Sequence, residues 1–212
     1  MIDELNNLVP YENKIIDLNK WLDDFYEVMD IDEEQKEKRK NLAHLIRESF
    51  LFLYSVLRVM AENNSYDYNI ALSAFRSEFR SAIDDYVRID LFMENYIQTF
   101  TQDYLDTTIN HLSQDDASFF FSDDRATIGG ANESNTVIGY GELEDAIDEG
   151  YEKKRWKTER DSRVRSTHRE LEGVTIPIDD YFDVGGSYML YPGDPEGDPK
   201  ETANCRCVLE YL

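Results

Sequence analysis

Apolar side chains recur at helical spacing along the first half of this chain. Between residues 11 and 29 they alternate with charged residues at a period near 3.6, and this pattern predicts an amphipathic helix. The apolar positions of this first helix are Ile15, Ile16, Leu18, Leu22, Phe25, Tyr26 and Met29.

A second and longer helix is predicted to begin after Asp32. The Asp32 side chain can cap the first backbone N–H groups, and Glu33 and Glu34 place negative charge at the end of the helix dipole that favours it. Apolar residues three and four positions apart continue the helix to Met60, and the turn-forming residues 63–65 are expected to end it.

A third helical tract runs from Asn69 to about Leu112 without a proline or a glycine. It predicts either one long helix or two helices joined by a short kink. Because short connections bring consecutive helices side by side, the N-terminal region is expected to form a bundle or a hairpin of helices.

The second half of the chain has a different pattern. A polar stretch with glycines follows Phe121, a shorter acidic helix is predicted from Ser134 to Glu149, and Gly150 is expected to stop it. Beyond Gly150 three short strands are predicted, and turn signals containing glycine and proline separate the last two. These strands are Lys153–Lys157, Val174–Ile178 and Cys207–Tyr211.

The pattern as a whole predicts an α+β protein, in which a long helical N-terminal region precedes a small loop-rich α+β domain with short strands. The predicted division is a helical region over residues 1–115, a linker over 116–124 and a C-terminal domain over 125–212. The length of 212 residues and the 41% share of hydrophobic residues are enough for such cores.

Charge separates the two parts of the chain. The formal net charge is −23, and most of it lies in residues 1–150, whereas residues 151–212 are nearly balanced. Such an acidic helical region would repel DNA phosphate, so nucleic-acid binding is not expected there.

The N-terminus has neither the basic segment nor the apolar segment of a secretion signal, and the most apolar run, Ser49–Met60, is too short to span a bilayer. We therefore expect no membrane segment and synthesis in a cytoplasm.

The two cysteines, Cys205 and Cys207, lie two positions apart, where a disulfide would be strained, so reduced thiols or metal ligands are expected. A catalytic pair of one thiol with His168 is one alternative. For that pair, an extended NCRC segment is expected to direct only one of its thiols at the histidine. A zinc site is another alternative, in which His168 and both thiols supply three of four ligands and a carboxylate such as Asp161 or Asp194 supplies the fourth.

An ordered string of residues in the C-terminal part resembles the phage Mu F-like head morphogenesis domain, that is, the minor head protein domain. The resemblance covers about residues 125–210, and Arg125–Ile128 with Glu133 are similar to the family's entry segment. The string consists of Trp156, Asp161, Arg163, Arg165, His168, Leu171, Gly173, Phe182, Tyr191-Pro192-Gly193-Asp194 and Asn204-Cys205-Arg206-Cys207.

This resemblance implies a structural protein of a tailed virus and not an enzyme. Members of the family lie at or near the portal in few copies and take part in procapsid assembly and in DNA packaging or delivery. The implied location is the virion, in the head interior or at the portal vertex, and the implied partners are the portal protein, the major capsid protein and packaged DNA. Other members carry cysteine pairs that look like a zinc site, whereas this chain has Arg165 in place of one cysteine and Ala203 before Asn204.

The chemistry of the same residues also indicates a structural role. Arginine–carboxylate pairs are directional, and Asp161 is expected to accept from Arg163 or Arg165, while Asp194, in a turn, is expected to face Arg165 or Arg206. Together with His168 and the two thiols, these pairs are expected to brace a core that is too small to hold the loops alone. We call this set the polar clasp. Its predicted members are Trp156, Asp161, Arg163, Arg165, His168, Gly173, Asp194, Asn204, Cys205, Arg206 and Cys207.

A cluster of basic residues precedes the clasp. It could contact DNA phosphate or an acidic surface of this protein or of a partner. The residues predicted for this contact are Lys153, Lys154, Arg155, Lys157 and Arg160. A Cys/His-dependent enzyme and a zinc-binding nucleic-acid module remain the alternative functions, and no cofactor other than zinc is expected.

Overall fold

The computed structural model describes residues 1–15 and 17–212. It is an α+β structure, as the sequence pattern predicts. Ile16, an apolar position of the first predicted helix, lies outside the described residues. The helices are α1 (Ile2–Asn6), α2 (Leu18–Tyr26), α3 (Glu33–Glu62), α4 (Tyr68–Ile83), α5 (Leu91–Asn110), α6 (Asp123–Asp148), α7 (Ser166–Arg169) and α8 (Pro199–Thr202), with a 3-10 turn at Phe119–Phe121. The strands are β1 (Lys153–Lys157), β2 (Thr175–Pro177), β3 (Phe182–Val184), β4 (Ser187–Met189) and β5 (Val208–Tyr211).

The long second helix is confirmed at both ends. Asp32 Oδ1 accepts a hydrogen bond from the Gln35 N–H at 2.8 Å, which is the expected cap. The helix ends at Glu62, and Asn64 follows with a φ of 51°, a left-handed conformation that asparagine adopts more readily than most residues. The first helix is shorter than predicted, because α2 covers only Leu18–Tyr26.

The third tract consists of two helices. Each is capped at its start by an aspartate: Asp67 accepts from the Ile70 N–H, and Asp90 accepts from the Met93 N–H. Helix α4 already ends at Ile83, and Asp90 starts α5 because its side chain binds a backbone N–H group of the first turn. Of the two alternatives that the sequence left open, the pair of helices is therefore the observed one.

The polar, glycine-containing stretch before Ser134 is helical, which corrects the sequence prediction. Helix α6 begins at Asp123 and is continuous to Asp148, so it includes the end of the predicted linker. A side chain at Gly129 would lie 2.8 Å from the Phe50 ring, and one at Gly139 would lie 2.9 Å from the Tyr191 ring. These glycines therefore mark places where α6 is closely packed against aromatic side chains.

The Cα positions divide the chain into two compact units. The N-terminal unit consists of Met1–Leu18 and His44–Gly130, and the C-terminal unit consists of Asn19–Ala43 and Ala131–Leu212. Helices α3 and α6 contribute residues to both. The predicted linker over 116–124 lies within the N-terminal unit, and whether 1–115 and 125–212 fold separately stays a prediction.

Aromatic side chains form the core of the N-terminal unit. Phe50 stacks on Tyr104 with ring centroids 4.2 Å apart, and the Phe79 and Phe100 centroids lie 4.9 Å apart. Phe50, Phe75 and Phe79 are fully buried. Such rings bury large apolar areas and account for much of the stability of this unit.

The C-terminal unit contains two small antiparallel sheets. The first has the order β2-β1-β5, and in it Trp156 of β1 is paired with Leu209 of β5. The second is the β3–β4 hairpin, which turns through Gly185 and Gly186, both with positive φ. The first strand is observed as predicted, the strands near residues 174 and 207 are shorter than predicted, and the hairpin was not predicted.

Within the described part of the chain, no helix has the length and the apolar composition that a membrane crossing would need.

Candidate functional site

Trp156 is the apolar centre around which the clasp residues lie. It is fully buried on β1, and its ring meets Phe182 edge-on at a centroid distance of 5.1 Å and His168 at 5.5 Å. The buried cluster around it is Trp156, Phe182, Val184, Met189, Cys205 and Cys207. The two thiols thus belong to the small core of this unit.

Asp161 connects two loops that are far apart in sequence. Its carboxylate accepts the backbone N–H groups of Arg163 and Val164 at 2.9 and 3.1 Å. It also accepts both terminal nitrogens of Arg206, at 2.9 and 3.0 Å, in the two-pronged geometry expected of an arginine–carboxylate pair. The hydrogen bonds from Arg206 hold the pKa of Asp161 far below its ordinary value.

Further contacts hold the segment before the cysteines. The Arg165 guanidinium donates to the Ala203 carbonyl, and the Asn204 N–H donates to Asn132 Oδ1 at 2.7 Å. Asn204 has a φ of 54°, so the chain turns sharply immediately before Cys205. Helix α6 also holds the next residue, because Asn135 Nδ2 donates to the Cys205 carbonyl at 3.2 Å.

His168, Cys205 and Cys207 meet at one point in the interior. Nδ1 of His168 lies 3.4 Å from the Cys207 sulfur and 3.6 Å from the Cys205 sulfur. The expectation that only one thiol could face the histidine was wrong, since residues two apart in extended chain lie on the same side. All three side chains are buried, with His168 only 1% exposed.

The pKa values of the two thiols move in opposite directions. The hydrogen bond with Cys207, assisted by His168, holds the pKa of Cys205 well below its ordinary value. The hydrogen bond with Cys205, together with burial, raises the pKa of Cys207. Two adjacent thiols in a buried site cannot both ionise without a compensating charge, so the shifts in the two pKa values oppose each other.

Glu201 is the site residue that the sequence analysis missed. Its buried Oε2 lies 3.2 Å from His168 Nε2 and accepts the Thr167 hydroxyl at 2.8 Å. The distance to the histidine is that of an ion pair, although its angle is not that of a hydrogen bond. No local pattern links Glu201 to His168, because the two lie on separate short helices 33 positions apart in sequence.

Two other members of the polar clasp, Gly173 and Asp194, form hydrogen bonds with backbone groups. Gly173 has a φ of 77°, and its N–H donates to the Trp156 carbonyl at 2.9 Å. Asp194 is 1% exposed and accepts the Leu190 N–H at 2.6 Å and the Glu196 N–H at 3.0 Å. Burial raises the pKa of Asp194.

The expected fourth zinc ligand is not where the sequence analysis placed it. Among the described residues, the only group of donors close enough to share an ion is His168, Cys205 and Cys207. The oxygens of Asp161 are taken by Arg206 and two backbone N–H groups, and those of Asp194 are taken by backbone N–H groups. Neither carboxylate completes a tetrahedron with the three donors.

A small cavity of ≈ 20 Å³ adjoins the histidine and the thiols. This is about the space of one water molecule. Glu159 lies on its wall, and burial raises the pKa of that carboxyl group to about 7.

Most of the basic residues predicted to contact DNA or a partner have partners within the chain. Arg155 pairs with Glu210 at 3.0 Å, Lys157 with Asp30 at 2.5 Å, and Arg160 with Glu172 at 2.6 Å.

Lys154 has no exposed surface, and its Nζ lies above the Phe182 ring at 5.7 Å from the centroid. Lys153 is exposed. A contact with DNA or a partner stays a prediction for this set, and in this conformation Lys153 is the member best placed to make it.

Most polar side chains of the site bind one another or nearby backbone groups. A thiol, an imidazole and a carboxylate that lie next to one another in space resemble the arrangement that activates a nucleophile. Here, however, the thiols and the histidine are buried, and the adjoining cavity has the volume of about one water molecule. The same donors suit a soft metal ion.

Comparison with known proteins gives a family match and one relative. The model of the family described as Phage Mu protein F like protein matches residues 100–210. The chain is also similar to the "Uncharacterized protein YqbB" of Bacillus subtilis (strain 168), with 34% identity over 61 residues. That match covers 27% of this chain and 20% of the relative, so the chain spans about a fifth of the relative's length. No solved structure matches.

Proposed function

Because the chain belongs to the Phage Mu protein F like family, whose model covers residues 100–210, we propose that it is a minor head protein of a tailed phage. The family points to a phage head morphogenesis protein and a virion component. The finer role that we propose is assembly of the procapsid, with packaging or delivery of DNA near the portal. The proposed location is the head interior or the portal vertex, after synthesis in the host cytoplasm.

One observation carries the structural role: the reactive side chains of the matched region bind one another. Asp161 binds Arg206, Arg165 binds the Ala203 carbonyl, and His168 faces both thiols. Side chains engaged in this way stabilise a fixed conformation of loops. We infer that the C-terminal unit offers a rigid surface to other head proteins.

The proposed partners are the portal protein and the major capsid protein. Support for a protein partner comes from the acidic character of the chain, whose formal net charge is −23. A basic surface on a partner would be attracted to it, whereas DNA phosphate would be repelled. Contact with packaged DNA is proposed only for the exposed Lys153 region.

An enzymatic role has weaker support. The imidazole lies close enough to either sulfur to accept a proton, but only a cavity of ≈ 20 Å³ adjoins them. An acyl or phosphoryl substrate is much larger than one water molecule. We therefore propose that the protein acts as a structural component without turnover.

Deletion of the coding region from its phage tests this function. We expect defective or missing heads, or heads that fail to package or deliver DNA, with recovery when the wild-type chain is supplied in trans. The matched pair for complementation is Asp161→Asn, which loses the ion pair with the buried Arg206, and Arg163→Ala, which removes an exposed side chain and a single 3.3 Å contact with the same carboxylate. Complete and infectious particles from the deletion strain would refute the proposal.

A further inference from the structure

The geometry points to a binding site for one thiophilic divalent cation, of which Zn²⁺ is the expected ion, held by His168 Nδ1 and the sulfurs of Cys205 and Cys207. The ion would join helix α7 to the segment that enters β5. This inference does not depend on a role in the phage head.

The distances between the donors are those of a coordination sphere. The donor atoms of all three residues lie within 4.8 Å of one another, and Nδ1 lies 3.4 and 3.6 Å from the two sulfurs. Zn–S bonds of ~2.3 Å and Zn–N bonds of ~2.0–2.1 Å at tetrahedral angles separate nitrogen and sulfur ligands by about 3.6 Å. The two nitrogen–sulfur distances therefore already match those around a bound ion.

The second nitrogen of the histidine faces the group that metal-bound histidines commonly have there. Nε2 lies 3.2 Å from Glu201 Oε2, and the same oxygen accepts the Thr167 hydroxyl. The negative charge at this position favours the tautomer that carries its proton on Nε2, and that tautomer leaves Nδ1 free to coordinate. Glu201 is thus a positioning residue for the metal site.

Burial explains why a cation would be favourable at this point. His168 and both cysteines are at most 9% exposed, and the Trp156 indole N–H lacks an acceptor among the described residues. Two thiolates in such surroundings need a positive charge, and an indole N–H near a thiolate sulfur is a suitable donor to it.

The cavity of ≈ 20 Å³ adjoins the three donors, and its wall also includes Glu159 and the arginines Arg163, Arg165 and Arg206. The carboxylates of Asp161 and Asp194 are engaged elsewhere, so one water molecule in this cavity would be the fourth ligand. Three protein ligands and one exchangeable ligand distinguish this site from a closed four-cysteine site.

Metal content is the direct test. Full-length protein is purified without chelators, and zinc is measured by elemental analysis against protein concentration; about one zinc per chain is expected. Replacement by Co²⁺ should then produce the visible absorption of a tetrahedral ion and a near-ultraviolet band from thiolate-to-metal charge transfer. A metal-free, folded protein with no such bands in the presence of Co²⁺ would overturn the proposal.

Variants separate this site from adventitious binding. Glu201→Gln should keep the fold and weaken Zn²⁺ affinity about 10–100-fold, as the loss of a supporting carboxylate does in other proteins. His111→Asn removes a histidine that pairs with Asp116 outside the site, and it should leave affinity unchanged. Because Cys205→Ser and Cys207→Ser could unfold the unit, thiol modification of the wild-type protein is followed as well, and it should accelerate when a chelator is added.

Equal zinc content in wild type, Glu201→Gln and Cys205→Ser would show an adventitious ion only and would overturn the proposal of a zinc site. So would thiol modification that proceeds at the same rate with and without chelator. Either result leaves the proposed head function in place, because that function is measured by particle assembly.

Discussion

Lys154 shows how a single buried charge affects this protein. Its side chain has no exposed surface, and Nζ has no hydrogen-bond partner among the described residues. Burial lowers the pKa of Lys154 to about 8, from an ordinary value of 10.5. Between these two pH values the unfolded chain binds more protons than the folded one, so stability rises with pH across this window.

We expect Lys154→Met to stabilise the protein at pH 7, because it removes the cost of burying a charge in similar volume. A shift of this size corresponds to at most about 3 kcal/mol in the free energy of unfolding. The gain should be fully present below pH 8 and should disappear towards pH 10.5. Urea unfolding at pH 7 and pH 10 measures it, and equal gains at both pH values would contradict the assignment to charge burial.

The pair of Asp161 with Arg206 gives a second test at this scale. Asp161→Asn leaves the Arg206 side chain, 8% exposed, without its carboxylate and should cost about 2–4 kcal/mol in unfolding free energy. Arg163→Ala removes a side chain that is 61% exposed and should cost less than about 1 kcal/mol.

Because Asp161 has a lowered pKa in the folded state, its contribution is present above its ordinary pKa and lost as the pH falls below that value. The difference between wild type and Asp161→Asn should therefore shrink in acid. A difference that is constant from pH 7 to pH 3 would count against an ionic contribution.

At the residue scale, the residues of the polar clasp could be predicted from the sequence, but the pairs that they form with one another could be predicted only in part. The string of arginine, aspartate, histidine and cysteine residues identified the region, and an arginine partner for Asp161 was expected. Of the two arginines expected there, Arg163 does bind Asp161, whereas Arg165 binds a carbonyl instead. Arg206, which was expected to face Asp194, makes the two-pronged pair with Asp161. Glu201 could not be found from local sequence, because its contact with His168 depends on how two loops fold together.

At the scale of elements, helix α6 is the clearest case of packing that overrides a local signal. Gly129 and Gly130 predicted a loop, yet both lie within the helix. Gly129 packs against the Phe50 ring, and Gly139, further along, packs against the Tyr191 ring. Glycine costs roughly 0.5–1 kcal/mol relative to alanine inside a helix, and close contact with the ring compensates for it.

Gly139→Ala should therefore destabilise the protein, although alanine favours helices. Its Cβ would lie 2.9 Å from the Tyr191 ring, and such overpacking costs about 1–3 kcal/mol. In the double variant Gly139→Ala with Tyr191→Leu, the added methyl group should cost less than it does beside tyrosine. Additive effects of the two substitutions in thermal unfolding would contradict this packing argument.

Strand prediction succeeded where the residues alternate and failed where the strands are very short. Lys153–Lys157 alternates exposed and buried side chains and was predicted to the residue. The β3–β4 hairpin has strands of three residues, too few to show a period, and only its Gly185-Gly186 turn carried a signal.

At the scale of the whole molecule, the two compact units differ from the domains predicted from sequence. Residues 19–43 belong to the same unit as 131–212, although they are helical and lie early in the chain. Sequence composition could not predict this, because it reports local character and not which segments pack together. One such contact is the ion pair between Arg39 and Glu142, at 2.8 Å.

Hydrogen exchange of Cys207→Ser tests this division. We expect lower protection in residues 131–212 and in 19–43 together, because segments of one cooperative unit open together, with residues 44–130 unchanged. Loss restricted to residues 125–212 would favour the boundary predicted from sequence, and equal loss along the whole chain would contradict both divisions.

We propose that this protein is a structural component of a phage head, and the protein composition of assembled heads tests this role most directly. Mass spectrometry of purified, DNA-filled heads, with an isotope-labelled copy of the chain as standard, measures that composition. The protein should be present in these heads at a small and constant ratio to the portal protein. Infectious heads assembled without it, or a ratio that varies freely between preparations, would contradict a structural role in the head.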